Sequence, residues 1–114
     1  MKKLTEAQLR TTEPYSIILS KLRHGAKKAI PVKELCEATG LPDRVLRKNV
    51  EIMRECGVCI VSDVNGYYLP ATEDELTRFI SRTEKTARSY FASLRTAKRT
   101  LRKLQTETQL KLPI

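Results

Sequence analysis

Four basic side chains occur at helical spacing between positions 44 and 54 of this 114-residue chain, and all lie off the apolar stripe of the same segment. An arginine can donate two parallel hydrogen bonds to the O6 and N7 atoms of guanine, which identifies the base. Lysine and arginine also neutralise phosphates, which positions a protein without reading sequence. Arg44, Arg47, Lys48 and Arg54 are therefore candidate contacts to nucleic acid.

The overall charge points to the same class of partner. The chain has 22 lysines and arginines against 13 acidic residues, giving a formal net charge of +9. Such a balance favours a polyanion. Nucleic acid is favoured over a membrane because the chain has no long apolar run. No apolar segment of a secretion signal follows Met1, so we expect a cytoplasmic location.

Catalytic and ligand-binding residues are scarce. The chain has a single histidine and four glycines. It shows neither a glycine-rich phosphate loop nor a pair of acids suited to a pocket, so no catalytic set can be assembled. We expect a protein that is not an enzyme and that uses no cofactor or small-molecule ligand.

Cys56 and Cys59 have the spacing of half a zinc site or of a redox motif. A second ligand pair is missing, since only His24 and Cys36 remain to complete four ligands. A redox motif of the thioredoxin type lies between a strand and a helix, whereas this pair lies where a helix leads into a strand. We therefore expect buried structural cysteines and no metal.

Two helices joined by a tight turn are predicted to position the basic residues. The first covers residues 32–39 and the second residues 43–56. Gly40 suits the left-handed position that ends the first helix, and Pro42 suits the first turn of the second. The apolar stripe of the second helix consists of Leu46, Val50 and Met53.

A β-hairpin is predicted next, with Val58–Val61 turning back through Asn65-Gly66 into Tyr67–Leu69. Asn-Gly between apolar runs is a strong hairpin signal. Ala29–Pro31 is predicted to form a short edge strand beside it.

The succession of helix, tight turn, helix and hairpin over residues 14–70 resembles the winged helix-turn-helix family. The residues Glu34-Leu35, Thr39-Gly40-Leu41-Pro42, Arg44, Arg47-Lys48 and Gly66-Tyr67-Tyr68-Leu69 also resemble small helix-turn-helix proteins encoded by phages and prophages. The resemblance implies double-stranded DNA binding, with the second helix in the major groove and the hairpin as the wing. The N-terminal half of that helix then reaches the base edges, so Arg44 or Arg47 is the expected base reader, and Lys48 and Arg54 are the expected phosphate contacts.

Further backbone contacts are expected from Lys27 and Lys28. The wing departs from family members that insert a basic tip into the minor groove, because its residues 62–66 include no cation. Asp63 would repel a phosphate, and Tyr67 and Tyr68 are expected to cover the core.

A long basic helix is predicted after Pro70. Thr72 is a suitable N-cap, and neither glycine nor proline occurs up to residue 105. Apolar residues keep a seven-residue repeat that is typical of a coiled-coil seam. The candidate dimerisation residues on that seam are Ile80, Ala87, Tyr90, Leu94, Ala97, Leu101 and Leu104.

The same helix carries nine basic residues against Glu84 alone over residues 76–105. We expect a homodimer through the seam, DNA contact by the basic residues, or both. The alternative is a helix whose first residues dock on the preceding domain while the rest is solvated.

The predicted fold is mainly α with a small β-hairpin, followed by a long C-terminal helix with the seam of a coiled coil. The predicted divisions are a flexible segment 1–13, a winged helix-turn-helix domain 14–70, the helix 71–106 and a flexible tail 107–114. The expected function is transcriptional regulation by a phage, prophage or bacterial homodimer. A replication-associated or architectural DNA-binding protein of low specificity remains an alternative, as does a protein-interaction module.

Overall fold

The computed structural model describes residues 4–111 and the side chains of residues 4–108. Its elements in chain order are α1 (Glu6–Thr11), α2 (Tyr15–Lys21), a 3-10 turn (Ala26–Lys28), α3 (Val32–Thr39), α4 (Asp43–Glu55), β1 (Val61–Asp63), β2 (Gly66–Tyr68) and α5 (Glu73–Lys111). The predicted fold class, mainly α with a small β-hairpin followed by a long C-terminal helix, is confirmed. The chain forms two compact units, which we call the N-terminal unit (up to Phe79) and the helical unit (from Ile80).

An aliphatic core holds the N-terminal unit together. The predicted stripe of α4 is buried, with Leu46, Val50 and Met53 at most 1% exposed. Burying one such side chain stabilises a fold by about 1.5–3 kcal/mol. The remaining buried core residues include Leu9, Ile18, Leu22, Leu35, Val58, Ile60 and Tyr67.

Helix α1 corrects the expectation of a flexible segment over residues 1–13. Thr5 and Gln8 form a reciprocal capping box, in which each side chain accepts a hydrogen bond from the other residue's backbone N–H. Leu9 is fully buried in the core. The short helix is therefore part of the domain, and residues 1–3 lie outside the described residues.

Helix α5 is longer than predicted at its C-terminal end. It begins at Glu73 after Thr72, whose hydroxyl accepts from the Glu75 amide at 3.2 Å. It continues to Lys111, through residues that we expected to form a flexible tail. Continuation follows from composition, because no glycine or proline occurs before Pro113. Residues 112–114 of that tail lie outside the described part of the chain.

The turn between α3 and α4 has the predicted chemistry. Gly40 adopts a left-handed conformation with φ of 76°, and its amide donates to the Cys36 carbonyl at 2.8 Å. Helix α4 then follows Pro42 directly. It ends at Glu55, one residue before the predicted end, and Gly57 has φ of 103°.

The hairpin turns one residue earlier than predicted. Asp63 pairs with Gly66, so the two-residue loop is Val64-Asn65 instead of Asn65-Gly66. The Asp63 carboxylate accepts a hydrogen bond from the Asn65 amide at 2.7 Å, which stabilises the loop.

Gly66 lies against the segment that precedes α3. Ile30 forms a single antiparallel bridge with Tyr67, in which each amide donates to the other carbonyl at 2.9 Å. The expected edge strand over 29–31 is thus reduced to one bridging residue. A Cβ atom on Gly66 would lie 2.0 Å from the Ile30 carbonyl oxygen, and the residue has φ of 126°. Only glycine fits this position.

We expect Gly66→Ala to lower the free energy of unfolding far more than Gly57→Ala, as measured by urea denaturation. Both residues have positive φ, but nothing lies within 4 Å of a Cβ on Gly57. Gly57→Ala should therefore cost about 1–2 kcal/mol from backbone strain alone, and Gly66→Ala should add the clash with Ile30. Equal losses for the two variants would contradict the close approach.

Candidate nucleic-acid interface

The exposed face of α4 carries the residues that the sequence identified as candidate base readers. Arg44, Arg47 and Lys48 are all exposed, while the apolar stripe of the helix is buried in the core. All three lie in the first two turns of the helix. Asn49, by contrast, is only 9% exposed and belongs to the buried side.

Two of these three cations have acidic neighbours on the same helix. The Arg47 Nε atom donates to the Asp43 carboxylate, and this hydrogen bond raises the pKa of Arg47. Lys48 Nζ lies 3.8 Å from a Glu51 carboxylate oxygen. Arg44 makes neither an ion pair nor a side-chain hydrogen bond with any described residue. Exposed ion pairs contribute about 0–1 kcal/mol, so a phosphate or a base can displace these acids.

The second half of the exposed face is acidic. Glu51 and Glu55 are both exposed and follow Arg44 and Lys48 along the same side of the helix at intervals of three and four residues. Because carboxylates repel phosphates, only the beginning of this face of α4 is suited to a polyanion.

A groove of about 570 Å³ lies between α4 and the hairpin. Arg47 is the basic residue in its wall. The other residues of the wall are Pro31, Val32, Ser62, Asp63, Val64, Asn65, Gly66 and Tyr67. Lys27 and Lys28 do not line this groove.

The segment that carries Lys27 and Lys28 is fixed by Glu75. The Ala26 amide donates to one Glu75 carboxylate oxygen at 2.5 Å, and the Ala71 and Thr72 amides donate to the other at 3.0 and 3.1 Å. These backbone hydrogen bonds, that of Ala26 above all, lower the pKa of Glu75. Both lysines are exposed on the resulting turn.

Arg54 has a role that the sequence did not indicate. Its Nε atom donates to the Ile60 carbonyl at 2.8 Å, and a terminal nitrogen donates to the Ser62 hydroxyl at 3.2 Å. Its Cζ atom lies 5.3 Å from the centroid of the Phe79 ring. Partial burial lowers the pKa of the guanidinium. Arg54 therefore joins α4 to the hairpin and to the first turns of α5. It is also exposed, and its expected phosphate contact stays a prediction.

The hairpin presents no basic side chain at its tip. Val64 is fully exposed there, and Asp63 is engaged with the Asn65 amide. Tyr67 and Tyr68 are 6% and 3% exposed, so they cover the core as expected.

The cysteines differ in exposure. Cys36 and Cys56 are half-buried, but Cys59 is exposed, which corrects the expectation of burial for this residue. The reason is alternation in an extended segment, because its neighbours Val58 and Ile60 both face the core. Within residues 4–108, no three side chains of histidine, cysteine, aspartate or glutamate come together as a metal site.

The predicted seam lies exposed on the helical unit. The exposed fractions are 48% for Ile80, 73% for Tyr90, 47% for Leu94, 54% for Leu101 and 55% for Leu104. Of the two alanines at seam positions, Ala87 is half-buried and Ala97 is exposed. Phe91, beside the seam, is 60% exposed.

Comparison of the chain with protein-family models, with curated protein sequences and with solved structures gives no match in any of the three. None of the helices in residues 4–111 has the length and apolar character that crossing a membrane requires.

We expect Arg54→Ala to lower the free energy of unfolding by about 1.5–3 kcal/mol, because hydrogen bonds from a charged group are lost. Arg44→Ala, on the same helix, should stay within about 0.5 kcal/mol of wild type because the residue is exposed and unpaired. Urea denaturation of the two variants measures the difference. Equal stability of the two variants would contradict the structural role of Arg54.

Proposed function

We propose that this protein binds double-stranded DNA through the first two turns of α4, within a winged helix-turn-helix arrangement. It acts as a transcriptional regulator in the cytoplasm of a bacterium or of a phage-infected host. The observation that carries the proposal is the exposed basic cluster Arg44, Arg47 and Lys48 at the beginning of a helix whose opposite face is buried. Helix-turn-helix proteins contact base edges with that part of the second helix.

The three cations have different parts in the proposal. Arg44 is unpaired, and Arg47 borders the groove beside the hairpin, so these two arginines read bases. Lys48 contacts phosphate, since a lysine acts as a point charge. Glu51 and Glu55 keep the second half of α4 away from the DNA backbone.

The hairpin supports α4 more than it binds DNA. Its strands are held by Arg54 and by the bridge from Ile30, whereas its tip offers Val64 and Asp63. Neither tip residue can attract a phosphate. Backbone contacts from Lys27 and Lys28, on their fixed turn, complete the proposed interface.

The proposal includes a homodimer through the α5 seam. Its large apolar side chains are about half exposed or more in a single chain. Leaving such a side chain in water forfeits about 1.5–3 kcal/mol relative to full burial. A second copy covers the seam, and a two-fold pair supplies two copies of α4 for two half-sites.

The distribution of charge favours a second candidate, a DNA-binding protein of low specificity. Residues 1–79 have 13 basic and 11 acidic residues, whereas residues 80–114 have nine basic and two acidic ones. Sequence-independent affinity follows the number of phosphate contacts. The two candidates differ in the ratio of specific to non-specific affinity, which is high only for the regulator.

We expect Arg44→Ala with Arg47→Ala to lower affinity for a duplex selected from a random library, because two base contacts are lost. Each contact should contribute about 1–3 kcal/mol of discrimination, so the specificity ratio should fall by about 30-fold or more. Fluorescence anisotropy on the selected and on a scrambled duplex measures the ratio. Lys21→Ala with Lys33→Ala is the control, as it removes the same charge from exposed positions outside the interface. An unchanged ratio in the arginine variant would refute the assignment of α4.

We expect wild type to sediment as a dimer and Leu94→Asp with Leu101→Asp to sediment as a monomer at the same concentration. The control is Ser89→Asp with Thr96→Asp, which adds the same charges seven residues apart on the side away from the seam. It should remain dimeric. Repulsion among basic residues should also make the wild-type dimer stronger with added salt. A wild type that stays monomeric at high micromolar concentration, with or without DNA, would exclude the dimer.

A further inference from the structure

We infer that the side of α5 away from the seam is a second DNA-binding surface, which contacts the phosphate backbone of duplex DNA and supplies most of the sequence-independent affinity. We call it the outer face. It lies within the helical unit and includes none of the α4 residues. The inference rests on the proposed function only in taking duplex DNA as the partner.

The first observation is where the charge of the chain lies. Nine lysines and arginines against two glutamates give residues 80–114 a net charge of +7, out of +9 for the whole chain. The preceding 79 residues have a net charge of only +2. A polyanion is therefore attracted chiefly to the helical unit.

The second observation is how these charges are arranged around the helix. In a heptad with Ile80 at position a, positions b, c and f face away from the seam. Seven of the eight basic residues between 80 and 108 occupy those positions, and all are exposed: Arg82, Lys85, Arg88, Arg95, Arg99, Arg102 and Lys103. The acids of the same stretch, Glu84 and Glu107, flank the seam at positions e and g. The outer face thus has no acidic residue.

Such an arrangement destabilises the helix in isolation. Cations three and four residues apart repel one another, as Arg95 and Arg99 do, by a few tenths of a kcal/mol per pair. The ion pair between Arg88 and Glu84, at 3.2 Å, is exposed and offsets little of this. Protein surfaces ordinarily intersperse both signs of charge. A bound row of phosphates removes the repulsion.

The composition of the outer face favours a duplex over a single strand. Proteins that bind single strands interleave cations with aromatic side chains on which bases stack. Tyr90 lies on the seam at position d and Phe91 lies beside the seam at position e. The outer face between 80 and 108 has no aromatic residue. Arg88, Arg95 and Arg102 form a row with steps of seven residues, about 10.5 Å along the axis. Phosphates of a stiff duplex suit a straight row of that kind.

The outer face and the seam are compatible in one molecule. A second copy on the seam covers positions a and d, whereas the row of arginines lies at position b. The pair would then carry two outer faces. DNA binding there should strengthen the dimer, because phosphates neutralise the charge of both helices.

The inference is tested with Arg88→Gln, Arg95→Gln and Arg102→Gln combined, which removes three cations at little cost in helix propensity. Binding to a random-sequence duplex is measured over a range of salt concentrations. For each phosphate contact, the logarithm of the affinity falls by about 0.9 for every tenfold increase in salt. Losing three contacts should therefore make the slope of log affinity against log salt concentration shallower by about 2.7 per protomer. Affinity at 0.1 M salt should fall by about 500-fold, because the loss at 1 M salt is small and each tenfold dilution of salt adds the change in slope. Circular dichroism and sedimentation verify that helix content and oligomeric state are kept.

The control is Lys21→Gln, Arg23→Gln and Lys33→Gln, which removes the same charge from exposed positions of the N-terminal unit. Its slope should change by less than one. Equal changes in the two triple variants, or none in either, would overturn the inference, since the effect would then follow net charge or lie elsewhere. A change that appears with single-stranded DNA, duplex RNA or anionic vesicles but not with duplex DNA would also overturn it.

The alanine pair at Arg44 and Arg47 separates this inference from the proposed function. If that pair leaves the specificity ratio unchanged while the arginine row controls the salt slope, the assignment of α4 fails and the outer face stands. If the pair lowers the ratio while the row leaves the slope unchanged, the outer face fails and the assignment of α4 stands.

Discussion

The close approach of Gly66 to the Ile30 carbonyl is the contact on which the arrangement of the N-terminal unit depends. An isolated two-stranded hairpin is marginally stable in water. Here the bridge between Ile30 and Tyr67 ties it to the segment that leads directly into α3. Arg54, on α4, donates to the carbonyl of Ile60, the residue directly before β1, and so joins the first strand of the hairpin to α4. The hairpin and α4 are thereby fixed on both sides of one groove.

The two units divide electrostatic functions between them. In the N-terminal unit basic and acidic residues nearly balance, at 13 against 11, and some of the cations form ion pairs with acidic neighbours, as Arg47 does with Asp43. This unit offers a small basic cluster on α4, whose opposite side is buried in the core. The helical unit carries unbalanced charge on a continuous exposed surface. In the proposed function, the first reads sequence and the second supplies affinity. Because different residues would then carry the two properties, a substitution could change specificity without changing overall affinity, or the reverse.

Local signals accounted for most of the fold. Gly40 and Pro42 specify the turn between α3 and α4, the spacing of Leu46 and Val50 specifies the buried side, and the absence of helix breakers specifies α5. The features that could not be predicted from the sequence depend on tertiary contacts. The structural role of Arg54 could not be predicted, because the Ile60 carbonyl comes within hydrogen-bond distance only when the hairpin folds back against α4. The burial of Leu9 likewise depends on contacts with the rest of the core. The start of α1 itself was predictable, because Thr5 and Gln8 have the spacing of a capping box. Arg44 and Arg47 could be chosen as candidate base readers from the sequence. The structure was needed to show that Glu51 and Glu55 lie exposed on the same side of α4.

In the proposed function, the beginning of α4 lies against the bases of duplex DNA. Chemical-shift mapping of backbone amides and arginine Nε–H groups, with a duplex selected from a random library, tests this placement. We expect the largest changes on binding at residues 43–48, including the Arg47 Nε–H as it leaves Asp43, and little change at Arg54. Saturation of the protein by the selected duplex with no change over residues 43–48 would contradict the account.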